Sequence, residues 1–155
     1  MQLACIEFAR HVLKKTGAHT MEVNPKTPHP IIIVNPFQAK NIRENRYGGT
    51  MRLGAYDAML KKGSAVAKAY HTLNISERHR HRYEFNNDYR EMIDAAGLSI
   101  VGVNPESQLV EIVELEDHPF FVGTQFHPEL KSRPMRPHPL FREFVGAAKR
   151  GTRDW

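Results

Sequence analysis

Phe120-Phe121-Val122-Gly123-Thr124-Gln125-Phe126-His127-Pro128-Glu129 is an apolar run closed by a histidine, a proline and a carboxylate. Its length and composition predict a buried strand over residues 120–126. In α/β sheets, functional groups gather at the carboxyl ends of strands. A histidine followed two positions later by a carboxylate can form a base and its orienter. The carboxylate accepts a hydrogen bond from one ring nitrogen and fixes the tautomer, and the other nitrogen faces a nucleophile or leaving group. Pro128 stiffens the link. Taken alone the tripeptide is a weak motif, and a surface histidine beside a turn proline is the plainer reading.

The flanking chain predicts an α/β protein. Leu98 to Val103 and Leu109 to Leu115 read as two strands joined by Asn104-Pro105-Glu106-Ser107, which is turn chemistry. Ile75 to Phe85 alternates like a strand, with Arg78, Arg80 and Arg82 on one face and His79, His81 and Tyr83 on the other. Ile31 to Val34 suits a short buried strand, and Thr50 to Tyr56 a further one. Three prolines in residues 24–30 exclude helix there. Residues 35–49 read as a loop, and 64–70 fits helix or strand.

Residues 1–15 carry an apolar stripe at helical spacing, with Gly17 placed to end it. Met1-Gln2-Leu3 offers no capping residue, so this helix is expected to begin mid-element. Asp88 to Ala96, capped by Asn87 or Asp88 and stopped by Gly97, and Pro139 to Ala148 are further helices. Strands interleaved with helices, plus a hairpin, indicate layered α/β architecture.

The 155 residues are 41% hydrophobic and 25% charged, as in an ordinary globular domain. No run of about 18 apolar residues exists, which argues against a transmembrane helix. No signal peptide is evident, and a single cysteine, Cys5, excludes an internal disulfide. A cytoplasmic setting is expected. The formal charge of +5 suits anionic small molecules as well as it suits nucleic acid.

Several segments together carry a resemblance. Gly123-Thr124-Gln125-Phe126-His127-Pro128-Glu129-Leu130-Lys131-Ser132-Arg133-Pro134 is one. Gly48-Gly49-Thr50-Met51-Arg52-Leu53-Gly54 and Glu77-Arg78-His79-Arg80-His81-Arg82-Tyr83-Glu84-Phe85-Asn86-Asn87 are two more. Met1-Gln2-Leu3-Ala4 with Ile6-Glu7-Phe8-Ala9-Arg10, Pro25-Lys26-Thr27-Pro28-His29-Pro30, and Leu109-Val110-Glu111-Ile112 complete the set. In this order they resemble the C-terminal part of the class I glutamine amidotransferase domain of the CTP synthase family.

The resemblance implies a three-layer, flavodoxin-like α/β domain with a mainly parallel sheet, its N-terminal strands missing from residues 1–155. It implies glutamine hydrolysis by a Cys-His-Glu triad. The ammonia then serves a synthase domain, absent here, that aminates UTP to CTP with ATP and magnesium in a homotetramer. By match of motif His127 is the general acid and base, and Glu129 orients it. Gln2, Glu22 and Arg82 match positions that hold glutamine. Glu22 suits the substrate ammonium and Arg82 its carboxylate. Thr50 and Arg52 match a loop linked to activation by GTP. The family's nucleophile sits in a Cys-Leu-Gly-Met-Gln-Leu elbow with whose methionine Met1 aligns, so the cysteine is expected three residues before Met1 and the chain alone is expected to be inactive. Cys5 reads as core.

His79 and His81 share a face, but a zinc site needs three or four ligands, so no metal is expected. The Arg-His-Arg-His-Arg run lacks interleaved aromatics beyond Tyr83 and any nucleic-acid module signature. Its arginines better suit carboxylates or nucleotide phosphates. Glu111, Glu114, Glu116 and Asp117 read as a solvated hairpin edge, and Phe120 and Phe121 as core. A non-catalytic module sensing glutamine or a nucleotide is the alternative function, with a basic nucleic-acid binder behind it. Phe37 to Tyr47 suggests no role.

Overall fold

A computed structural model describes residues 1–35 and 51–151. The described residues form eight strands and four helices. They are α1 (Gln2–His11), β1 (Ala18–Thr20), β2 (His29–Val34), β3 (Arg52–Leu60), α2 (Ala65–Tyr70), β4 (Asn74–His81) and β5 (Tyr83–Phe85). Then come α3 (Arg90–Ala95), β6 (Leu98–Val103), β7 (Val110–Leu115), β8 (Phe121–Thr124) and α4 (Pro139–Gly151).

The α/β class stands, but the strand sense differs from expectation. Five strands form one sheet in the order β4-β3-β6-β7-β8, and β1-β2-β5 form a second. Among the described strands only β1 and β2 run parallel, and the other pairs are antiparallel. The links from β6 to β7 and from β7 to β8 are too short for the crossover that a parallel pair requires.

The run expected as one strand from Ile75 to Phe85 breaks at Arg82. β4 pairs with β3 in the large sheet, and β5 pairs with β2 in the small one. The chain thus passes from one sheet to the other beside the histidine site. Its alternation is as read: Ile75, Glu77 and His79 are buried, while Ser76, Arg78 and Arg80 face solvent.

α1 is shorter than predicted. It stops at His11 because Lys14 takes a left-handed turn (φ 55°), which returns the Lys15 N–H to the Ala9 carbonyl. Gly17 (φ 80°) bends the chain only afterwards. Residues 64–70 resolve to helix: the Ser64 side chain accepts from the Ala67 N–H at the N-terminus. At α3, Asn86 is the residue that accepts, from the Asp88 N–H, ahead of a 3-10 turn over Asn87–Tyr89.

Apolar side chains form two clusters. Cys5, Ile6 and Ala9 of α1 meet Ile93 of α3 and the strands Ile31, Phe85 and Val110 help define. Val66, Ala67 and Ala69 of α2 meet Leu140 of α4, with Val101, Ile112 and Phe126. Helices therefore cover two faces, and the layers are three. No described helix is long and apolar enough to cross a membrane.

Candidate active site

β8 delivers His127. The Gln125 N–H donates to the Glu111 carbonyl at 2.9 Å, carrying the β7–β8 register past Thr124. The Thr124 hydroxyl donates to the Phe126 carbonyl at 3.0 Å. The His127 N–H then donates to the Arg78 carbonyl at 2.9 Å, so the histidine backbone is tied to β4. Pro128 opens a 3-10 turn over Pro128–Leu130, a position where proline's fixed φ suits helical geometry.

That turn folds Glu129 back on the ring. His127 Nδ1 and Glu129 Oε1 lie 2.7 Å apart. The carboxylate can only accept, so the proton sits on Nδ1 and Nε2 is left as the basic nitrogen. Both side chains are accessible, His127 at 40% and Glu129 at 58%. Burial pushes the Glu129 carboxyl upward, but the hydrogen bond and charge of His127, together with a backbone hydrogen bond, leave the group below its ordinary value.

Gln2, Glu22 and Arg82 come from α1, the turn after β1 and the β4–β5 break, and they meet along one cleft of about 360 Å³. Met51, Arg80, His81 and Tyr83 complete its lining. Residues 80 apart in sequence are brought together because β4 changes sheets at this point.

Beneath the cleft lies a polar network that the sequence reading did not anticipate. His79 Nδ1 and His81 Nε2 are 2.8 Å apart. Burial, reinforced by the nearby Arg52 cation, lowers His79 to about 3 and His81 to about 4, so both rings are neutral at neutral pH. Gln125 donates to the Tyr83 carbonyl at 2.7 Å and to Glu84 at 3.1 Å. Asn35 donates to the other Glu84 oxygen at 3.1 Å.

Arg52 is not a loop residue. It opens β3 with 4% of its surface exposed, and its guanidinium lies 2.6 Å from Glu111 and 3.8 Å from Glu84. It also sits 4.3 Å over the Tyr56 ring. Its side chain also lines a small cleft with Asn35, Tyr56 and Asn104. Thr50 lies outside the described residues, as does the segment Phe37 to Tyr47.

The hairpin carboxylates are also corrected. Glu111 and Glu114 are buried, because β7 is an inner strand flanked by β6 and β8. Glu114 accepts from the Ala65 and Val66 N–H groups at the start of α2, where a carboxylate suits the helix dipole. Only Glu116 and Asp117 reach solvent as expected. Phe120 and Phe121 are half-buried against the two clusters.

Cys5 is fully buried in the first cluster, and burial raises its thiol to about 12. It is no nucleophile in this fold. Among the described residues no three histidine, cysteine or acidic side chains converge as a metal site.

The family description "Glutamine amidotransferase class-I" matches residues 1–147, and the chain belongs to that family. Within it the similarity is to CTP synthases. The CTP synthase of Halalkalibacterium halodurans is 58% identical over 150 residues, covering 97% of this chain and 28% of that protein. That of Moorella thermoacetica is 57% identical over 150 residues, covering 97% and 27%. A solved structure of the Trypanosoma brucei CTPS glutaminase domain with bound acivicin superposes with a TM-score of 0.87 at 38% identity, over 97% of this chain and 57% of that one. The chain thus spans about 28% of the length of the CTP synthases it matches.

Proposed function

We propose that this chain is the substrate-holding and proton-transferring part of a glutamine-hydrolysing domain of the CTP synthase kind. The observation that carries the reading is the 2.7 Å pair of His127 and Glu129 at the end of β8. In this reading Arg82 holds the glutamine carboxylate and Glu22 its ammonium. His127 Nε2 takes the proton of an attacking thiol and passes it to the departing amide nitrogen, which leaves as ammonia. The same nitrogen then takes a proton from the water that releases glutamate from the thioester. Glu129 holds the ring in the needed tautomer and steadies the imidazolium that forms.

The ammonia serves a synthase domain that aminates UTP with ATP and magnesium, in a homotetrameric cytoplasmic enzyme. Thr50 and Arg52 are the positions this reading assigns to GTP activation, with Arg52 held by its ion pair to Glu111. The thiol is not Cys5, so residues 1–155 by themselves release no ammonia.

Two measurements on the 155-residue chain test the proposal. Calorimetric titration is expected to detect L-glutamine binding that Arg82→Ala abolishes. Ammonia release is expected to match that of His127→Ala. Absence of binding sinks the substrate assignment. Release that His127→Ala and Cys5→Ala each remove makes the chain a self-sufficient glutaminase instead.

A further inference from the structure

Gln125 is 6% exposed and lies two residues before His127. Its Nε2 is 2.7 Å from the Tyr83 carbonyl oxygen, an atom that can only accept. Reversing the Gln125 amide would aim one carbonyl oxygen at another, so the nitrogen belongs where it stands. Its second hydrogen points at Glu84 Oε2, 3.1 Å away. His81 Nδ1 lies 3.3 Å from the Gln125 nitrogen and 3.2 Å from the Tyr83 oxygen, so the Gln125 orientation is set by the Tyr83 and Glu84 acceptors and not by the histidine tautomer.

With the nitrogen of Gln125 fixed, its Oε1 must face Gln2. It lies 3.2 Å from Gln2 Nε2, which therefore donates. Gln2 Nε2 is also 3.0 Å from the Tyr83 carbonyl, again an acceptor only. Both amide hydrogens of Gln2 are thereby engaged, and its one unengaged polar atom is Oε1.

We propose that Gln125 is a positioning residue that turns the Gln2 carbonyl oxygen toward the cleft, so that Gln2 recognises a ligand N–H, the α-ammonium of an amino acid. The inference rests on the reading of the cleft as a glutamine site and specifies its polarity. Gln2 and Glu22 supply acceptors and Arg80 and Arg82 supply cations to this one cleft, the two kinds of group that a zwitterion requires.

The test compares L-glutamine with glutaramate, which keeps the amide and one carboxylate but lacks the α-ammonium. By calorimetry the wild-type chain is expected to prefer glutamine. Gln125→Met removes the orienting oxygen while leaving Gln2 in place, and it is expected to reduce that preference about tenfold, the worth of a hydrogen bond to a charged group. An unchanged preference overturns the proposal. The second readout needs no ligand. The Gln2 side-chain NH2 protons are expected to exchange slowly in wild type and fast in Gln125→Met, read by 15N NMR in chains with native amide dispersion. Fast exchange in wild type overturns the orientation outright. Slow exchange with no affinity for either ligand upholds the orientation and removes the glutamine reading.

Discussion

Arg52 on β3 and Glu111 on β7 form an ion pair of 2.6 Å, with both side chains sealed from solvent. β6 separates their strands in the sheet order, so the pair joins the β3–β4 edge to the strand that precedes β8. The contact is one of charge rather than of alignment: Arg52 Nη1 and both Glu111 oxygens lack a well-directed hydrogen-bond partner among the described residues. Burial raises the Glu111 carboxyl to about 7 even though Arg52 pulls it down.

Removing one partner should therefore cost far more than removing both. Arg52→Met leaves the buried Glu111 without its cation, so its carboxyl must take up a proton and stay in the interior with its polar atoms unpaired, and the change is expected to lower stability by about 3–5 kcal/mol in urea denaturation. Arg52→Met with Glu111→Leu should recover most of that loss, because apolar groups of similar size replace the pair without the desolvation cost. A double variant no more stable than the single would show that the pair contributes net stability.

The buried titrating groups set the pH profile. His79 and His81 have folded values near 3 and 4, well below their ordinary 6.5. Between these limits the unfolded chain binds more protons, so their contribution falls as pH falls. Glu111 runs the opposite way: raised from 4.5 to about 7, its contribution is full below 4.5 and lost as pH rises through 7. From pH 6.5 to 4.5 the two trends oppose, two histidines against one glutamate, so stability falls with pH but less steeply than the histidines alone would make it. Below 4.5 the Glu77 and Glu129 carboxyls, held below their ordinary value, lose stabilisation together with the histidines, and the acid limb steepens, each group adding a limiting slope of about 1.4 kcal/mol per pH unit. Chemical denaturation at closely spaced pH values checks this, and His79→Gln should reduce the acid-limb slope by about one proton's worth.

Local order was readable where a single physical signal governs it. The apolar run before His127 became a strand with the histidine at its end, and the alternation in β4 sorted arginines from histidines correctly. Spacing in Glu111-Ile112-Val113-Glu114 misled, because acidic residues in a hairpin suggest a wet edge. The next strand, β8, covers that edge, and the partners that make burial tolerable, Arg52 and the N-terminus of α2, are 59 and about 49 residues away. The break at Arg82 was hidden for a similar reason: the chain carries strand character on both sides, and only tertiary pairing reveals two sheets. Gln125 offered no pattern at all, since its role arises from the carbonyl of Tyr83.

Cys5 offers a direct test of the packing under α1. A thiol raised to about 12 by burial has almost no thiolate at pH 8, and no path to a reagent. Ellman's reagent is expected to leave the native chain unmodified and to titrate one thiol in guanidinium chloride. Cys5→Ser should destabilise by about 1–3 kcal/mol, because its hydroxyl is buried among Ile6, Ala9 and Ile31 without a designed partner. Rapid modification of the native protein would mean that α1 opens readily.

Gly102 on β6 packs where no side chain fits. A Cβ built there would lie 2.6 Å from Ile112 Cγ1 and 2.9 Å from its Cβ. Ile112 belongs to the second cluster and is fully buried on the inner strand β7, so its freedom to retreat is small. Gly102→Ala is expected to cost about 1–3 kcal/mol through overpacking. Ile112→Ala alone should cost about 2–5 kcal/mol as a cavity. Together they should cost clearly less than the sum, because the new methyl occupies part of the space that the isoleucine vacates. Additive losses in the denaturation cycle would show that the β6–β7 contact at this register is looser than the 2.6 Å approach implies.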